Sequence, residues 1–328
     1  MTSEQPSDND SLDLGPGMMR VQDSPQRVSG MRVPASWKLP GKPADLDEFA
    51  DDAWRQTGFL CGEELRLIEA GLDLQARLAG SGYTPSARNM TMAAFASLWS
   101  RAFLCTSDAV ALLRRGGYQS AMPLLRQGVE FIGAQRGVGD EMDEWRRFTH
   151  EAYGRHEATR SIEIGLGAYF SGESIASDAN LRLIYKAASD FGRPNFGPTA
   201  MLVANEASHE KYPLVFADQA FHLGWAQLLL GWALRLDVAQ VHLALHLGES
   251  FPAAAEVRAE AAEHVRTVEA LLDRADRCRL EEWVDERGRK RHLVTEFKRR
   301  PGDAAQLLLF RQDPGMDSTD LASPGGPS

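Results

Sequence analysis

From about Ala44 onward, apolar residues recur at spacings of three and four, through Leu65, Leu67, Ile68, Leu72, Leu74 and Leu78. That is the period of a helix with one buried stripe. Pro85 and Ser86 precede a second predicted helix over residues 86–115, which Gly116 and Gly117 stop, and a third follows over residues 118–137. Pro123 falls in the first turns of the third, where a missing N–H costs little. The short glycine break makes these two helices an antiparallel pair. Further helical stretches run from Asp140 to about Tyr169, Ser174 to Phe191, Pro213 to about Leu247 and Pro252 to about Asp285, with Ser250 as the expected N-cap of the last. The segment from Gly192 to Pro198, GRPNFGP, reads as a loop.

Toward the C-terminus the period changes. EEWVDERGRKRHLVTEF, residues 281–297, alternates polar and apolar positions about Gly288, the pattern of a short β-hairpin. The expected fold is therefore all-α, a long-helix bundle with a short C-terminal β-hairpin and disordered termini. The expected divisions are a disordered segment 1–43, a helical domain 44–285, a basic hairpin and extension 286–313, and a disordered tail 314–328.

Composition narrows the function classes. A formal net charge of −10 excludes a surface that tracks phosphates along its whole length, so any basic site is local. Three cysteines, Cys61, Cys105 and Cys278, lie far apart with no CxxC pair, which fits a reducing compartment and neither a disulfide framework nor a thiolate zinc site. The first 45 residues lack the apolar core of a signal peptide. The longest uncharged apolar run, between Asp218 and Arg235, has 16 residues, short of the roughly 20 that span a bilayer. It reads as a buried helix in a cytoplasmic protein without a membrane partner. No repeat of solenoid length is visible, and GLGAYFSG at residues 165–172 follows a helix, the wrong context for a dinucleotide fingerprint.

Between Arg88 and Arg114 the only charged residues are Arg101 and Asp108, seven apart and thus on one helix face. The facing helix carries Arg126 and Glu130. In an antiparallel hairpin about Gly116 and Gly117, Asp108 would oppose Arg126 and Arg101 would lie within a turn of Glu130. The signs match, so two readings stay open: salt bridges that fix register in the core, or a polar pocket that holds a charged ligand.

This hairpin, DAVALLRRGGYQSAMPLLRQGVEF, resembles that of bacterial proteins with a HEPN-like, abortive-infection-like bundle, in which a leucine-rich helix, a glycine and an Arg-x-x-x-Glu helix recur. IYKAASDFGRPNFG is similar to the Tyr and Ser helix end and loop of the same group. The resemblance covers residues 90 to 250, with Arg193 where relatives often carry histidine. It implies a binding or interaction module with a place in bacterial defence, or alternatively a metal-independent ribonuclease using Arg, four to six residues, then His. Arg235 to His242, Arg258 to His264 and Arg287 to His292 all fit that spacing, about as many as chance supplies.

Position separates the three. Arg235, His242, His246 and Glu249 form one stripe along a helix with apolar rows on both sides, and the helix's other polar stripe is Asp237, Gln240 and Ala244. If the first stripe faces a groove, Arg235, His242 and His246 are the catalytic candidates and Glu249 a binding one; if it is open to water, the catalytic reading loses its positional support. A metal- or small-ligand-binding bundle is the second alternative. His242 and His246 have two-ligand spacing, but Leu243 stands where HExxH has glutamate, and Glu206 to His209 is the one Glu-x-x-His pair, so no metal or cofactor is expected. Residues 287–300 hold seven basic residues, Arg289, Lys290 and Arg291 among them, against the single acid Glu296. That patch is a candidate contact for RNA or an acidic protein, and a homodimer is the other assembly considered.

Overall fold

The uncharged apolar run becomes the axis of the bundle. The computed structural model describes residues 30–82, 90–140, 172–194, 196–203, 213–246, 253–284, 286–288 and 290–310. Nine helices and three strands lie among them: α1 (Glu48–Leu60), α2 (Gly62–Gly82), α3 (Met90–Leu113), α4 (Tyr118–Asp140), α5 (Gly172–Ser177), α6 (Ala179–Gly192), α7 (Phe196–Val203), α8 (Leu223–His246), α9 (Ala255–Leu272), β1 (Arg279–Val284), β2 (Lys290–Phe297) and β3 (Gln306–Phe310). The fold is mostly helical with a small antiparallel sheet at its C-terminal end, the architecture that the hydrophobic periods predict.

Helix α8 packs against α2, α3, α4, α6, α9 and the sheet. Its Trp225, Ala226, Leu229, Leu230, Ala233, Leu234 and Leu236 are fully buried. Burial of that many large side chains, each worth about 1.5–3 kcal/mol, explains why an all-apolar helix is stable only at the centre. Among the described residues α8 is the one helix long and apolar enough to cross a membrane, and 72% of that apolar window is buried inside the bundle. Phe191 of α6 meets Trp225 edge-on at 5.5 Å and stacks on Trp232 at 6.0 Å, while Phe297 of β2 meets Trp225 at 5.1 Å, so the aromatic cluster ties helices to sheet.

Helices α3 and α4 form the expected antiparallel pair. Gly116 between them has φ +76°, and a Cβ there would overlap the carbonyl of Gln219, so only glycine fits. Several boundaries differ from the sequence reading. Residues 44–82 form two helices that meet at Cys61, and the expected helix 174–191 is broken at Asp178, which caps α6 by accepting from the N–H groups of Asn180 and Leu181.

Helix α8 begins at Leu223 rather than near Pro213. The N–H groups of Leu223 and Gly224 donate to the carbonyls of Arg299 and Lys298, each at 2.9 Å, and that of Trp225 donates to His222 Nδ1 at 3.3 Å. The orphan donors of its first turn are thus met by the sheet. The last helix ends at Leu272 rather than near Asp285, because the chain turns and enters β1. The sheet has a third strand, β3, antiparallel to β2, which the hairpin reading lacked.

The N-terminal segment expected to be disordered includes residues that pack. Trp37 and Leu39 lie against the core, and their N–H groups donate to Asp73 Oδ1 and Glu69 Oε2 at 2.8 and 2.9 Å. The amphipathic stretch 141–169, the expected N-cap Ser250, the Glu206–His209 pair and the C-terminal tail lie outside the described residues.

Candidate binding site

Helix α4 presents Arg126 to α6 because Leu125 and Val129, on the adjacent face, are fully buried in the core. Helix α6 has its own apolar stripe, Leu181, Ile184, Ala187 and Ala188, and that stripe leaves Tyr185 and Ser189 at the margin facing α4. The guanidinium of Arg126 is then held on three sides. Nε donates to Ser189 Oγ at 2.9 Å, Nη2 donates to the Tyr185 hydroxyl at 3.0 Å, and Glu130 Oε1 lies 3.1 Å away, one helical turn along α4. The charge also sits over the Tyr185 ring at 4.8 Å. Ser189 in turn donates to the carbonyl of Tyr185 at 2.7 Å, which fixes its oxygen lone pairs toward Arg126.

This cluster is open. The side chains of Arg126 and Glu130 are 39% and 37% exposed. Beside it Arg101 of α3 lies 4.5 Å over the ring of Phe131, and Asp190 on α6 has its carboxyl raised above the usual range by burial, against the opposing pull of Arg193 and Lys186. An oriented guanidinium, a phenol able to donate its own proton, and a second arginine make a face suited to anionic oxygens. Among the described residues, those that form the cluster bring no thiol or imidazole to transfer a proton.

The four core-charge candidates are therefore arranged differently from the sequence expectation. Arg101 and Asp108 are exposed, on an outer stripe of α3 that also holds Ser97 and Leu104. Asp108 does not pair with Arg126, whose ionic partner is Glu130 on its own helix. Arg101 lies over the ring of Phe131, the residue that follows Glu130 in the chain. Neither is a core salt bridge.

The α8 stripe is likewise turned outward at its far end. His242 and His246 are exposed, Arg235 is half-buried and donates to Asn180 Oδ1 at 2.7 Å, and Glu249 lies outside the described residues. The opposite stripe faces in. Asp237 is 1% exposed and its carboxylate accepts from Gln75 Nε2 at 2.5 Å while Oδ2 lies 2.6 Å from His264 Nε2. Gln75 Oε1 accepts from Trp99 Nε1 at 2.8 Å, and Gln240 donates to Gln135 Oε1 at 2.9 Å. A Cβ on Gly71 would overlap the Asp237 carboxylate, so that glycine makes the space for it. The Asp237 group joins α2, α3, α8 and α9, and the Gln240–Gln135 pair joins α8 to α4; paired polar groups in the interior fix the relative register of helices, with Gln135 Nε2 left without a partner.

A second buried pair joins helix to sheet. Arg277 is 3% exposed, lies 3.0 Å from Glu64 Oε1 and donates through Nη2 to the carbonyl of Gln227 at 2.8 Å. Burial pushes the Cys61 and Cys278 thiols up to about 12, so both are inert where they sit. Lys290 and Arg291 open β2, just after the turn in which Gly288 has φ +73°, and Arg289 lies outside the described residues. Among the described residues no three metal-binding side chains gather.

Comparison with protein-family models, curated proteins and solved structures finds no match.

Proposed function

We propose that this protein is a HEPN-like helical binding module that holds a phosphate-bearing ligand on the α4–α6 face without cleaving it. The observation that carries the reading is the Arg126 guanidinium, oriented at an open surface by Tyr185, Ser189 and Glu130. Prealigned donors lower the ordering cost of binding, since long arginine side chains otherwise lose rotamer freedom. The resemblance quoted above rests on the same residues, the Arg-x-x-x-Glu helix and the Tyr and Ser helix end. A binding role is favoured over a ribonuclease because His242 and His246 are exposed on α8 while Arg235, the arginine of their stripe, is half-buried and turned to Asn180.

Isothermal titration of the full chain with AMP, adenosine and inorganic phosphate tests this. AMP and phosphate should bind and adenosine should not, with Arg126→Ala weakening AMP at least tenfold. Equal binding of AMP and adenosine, no binding at all, or cleavage of a structured RNA that disappears in His242→Ala would each overturn it.

A further inference from the structure

We propose that the cleft between α6, α8 and the start of β1 is a site for one small anion of chloride's size, held between the guanidinium groups of Arg235 and Arg277. The cleft has a volume of about 20 Å³, room for a single water-sized body, and opens to the surface. Its twelve lining residues include three arginines and no acid. One of the three, Arg279, is occupied by Glu281 at 2.5 Å.

Of the other two, Arg277 already has Glu64 as its ionic partner, and Arg235 is under-neutralised. Arg235 is half-buried, its one hydrogen-bond partner is the neutral Asn180 amide oxygen, and among the described residues no carboxylate lies within ion-pair distance of it. Burial works most strongly against its protonated form; the Asp273 charge supports that form, Arg277 opposes it, and Glu269 adds a smaller support. Arg277 is almost wholly buried, and its Nη1, although beside Glu64, forms no well-directed hydrogen bond. A buried charge group without full pairing is costly, and an anion between the two arginines removes both the repulsion and the unmet donor.

The walls are shaped for this approach. A Cβ on Gly231 would stand 3.4 Å from Arg277 Nη2, so glycine lets the guanidinium lie close along α8. Trp232 and Leu280 supply apolar sides that exclude water and raise the strength of each charge contact. The space suits a single small anion such as chloride or bromide. Because Arg277 directly precedes the sheet, the bound ion fastens β1 to the bundle.

The test is thermal unfolding of the full chain, followed by circular dichroism in sodium chloride, bromide or gluconate at equal ionic strength. Chloride and bromide should raise Tm saturably by about 2–4 °C over gluconate. ³⁵Cl NMR should show a line broadened by the protein and narrowed by added bromide. Arg235→Gln should abolish both effects, Arg235→Lys should keep them in weakened form, and Arg266→Gln, on the outer face of α9, should leave them intact. Tm values that follow ionic strength alone, or a chloride effect and line width unchanged in Arg235→Gln, would overturn the site. If Arg235→Gln does not fold, the NMR line of the wild type and of Arg235→Lys decides: no bromide-sensitive broadening refutes the proposal.

Discussion

Replacing Asp237 with alanine should cost more stability than any other single change in the α8 polar face. The carboxylate is buried to 1% exposure and serves two donors on two other helices, Gln75 on α2 and His264 on α9. Removing the acceptor of a buried donor costs about 1–3 kcal/mol, and more where the acceptor is charged, because the group left behind stays desolvated. Gln75 Nε2 would also be orphaned, and Gln75 is what Trp99 Nε1 donates to, so α3 loses its hold as well. Against a total stability of about 5–15 kcal/mol such a loss is severe. Asp237→Asn keeps an acceptor for Gln75 and a donor for a neutral His264, so about 1–2 kcal/mol is expected there. Urea unfolding followed by far-ultraviolet circular dichroism and tryptophan fluorescence measures both. A double-mutant cycle of Asp237→Ala with His264→Ala should show coupling of at least about 1 kcal/mol. A loss below about 1 kcal/mol for Asp237→Ala, or additive single mutants, would refute the network as a stabilising unit.

Two further predictions concern the junction of helix and sheet at His222 and the turn between α3 and α4 at Gly116. Burial lowers His222 to about 3 and His292 to about 4, below the usual histidine range, so both are neutral in the folded protein at pH 7. Unfolded histidines take up protons below about pH 6.5, so this stability is complete above that pH and is lost as pH falls toward 4, by roughly 3 kcal/mol per histidine over two units. His222→Asn, which keeps an acceptor for the Trp225 N–H, should flatten the acid limb of a stability–pH curve; an unchanged limb would show that His222 does not contribute. Gly116→Ala places a Cβ at positive φ and against the Gln219 carbonyl, and should lower stability by at least about 1–2 kcal/mol in the same urea assay, a loss that Gly41→Ala, in open space, should not show.

What could be read in advance was local. The α3–α4 pair followed from the Gly116–Gly117 stop, and the burial of α8 from its uncharged run. Starts and ends set by distant partners could not be read: α8 begins at Leu223 because carbonyls of residues 298 and 299 meet its first N–H groups. The break at Asp178 was different, since an aspartate before Ala-Asn-Leu is a visible N-cap signal that continuous apolar periodicity concealed. In the candidate site, Arg126 and Glu130 were legible as four-apart charges in an apolar helix. The pairing of Asp108 with Arg126 failed because matching positions along two antiparallel helices says nothing about the rotation of either about its axis. Asp108 shares the outer face of Arg101, while its neighbours Ala109 and Val110 fill the core. Tyr185 and Ser189 were missed as site residues, although their four-residue spacing places both on one face of α6.

The orientation of α8 follows from which partners the rest of the chain provides. Apolar rows on both sides of the helix allow either polar stripe to face inward, so hydrophobic burial alone does not choose between them. Turning Arg235, His242 and His246 inward would bury a guanidinium and two imidazoles, each needing partners of its own. Turning Asp237 and Gln240 inward buries one carboxylate and one amide, and both find donors or acceptors in Gln75, His264 and Gln135. The second choice leaves fewer unmet groups, and each unmet buried group costs about 1–3 kcal/mol. Arg235, at the edge between the two stripes, keeps only the Asn180 oxygen. The same rotation that satisfies the core therefore leaves this one guanidinium half-buried in the wall of a cleft with its charge uncompensated.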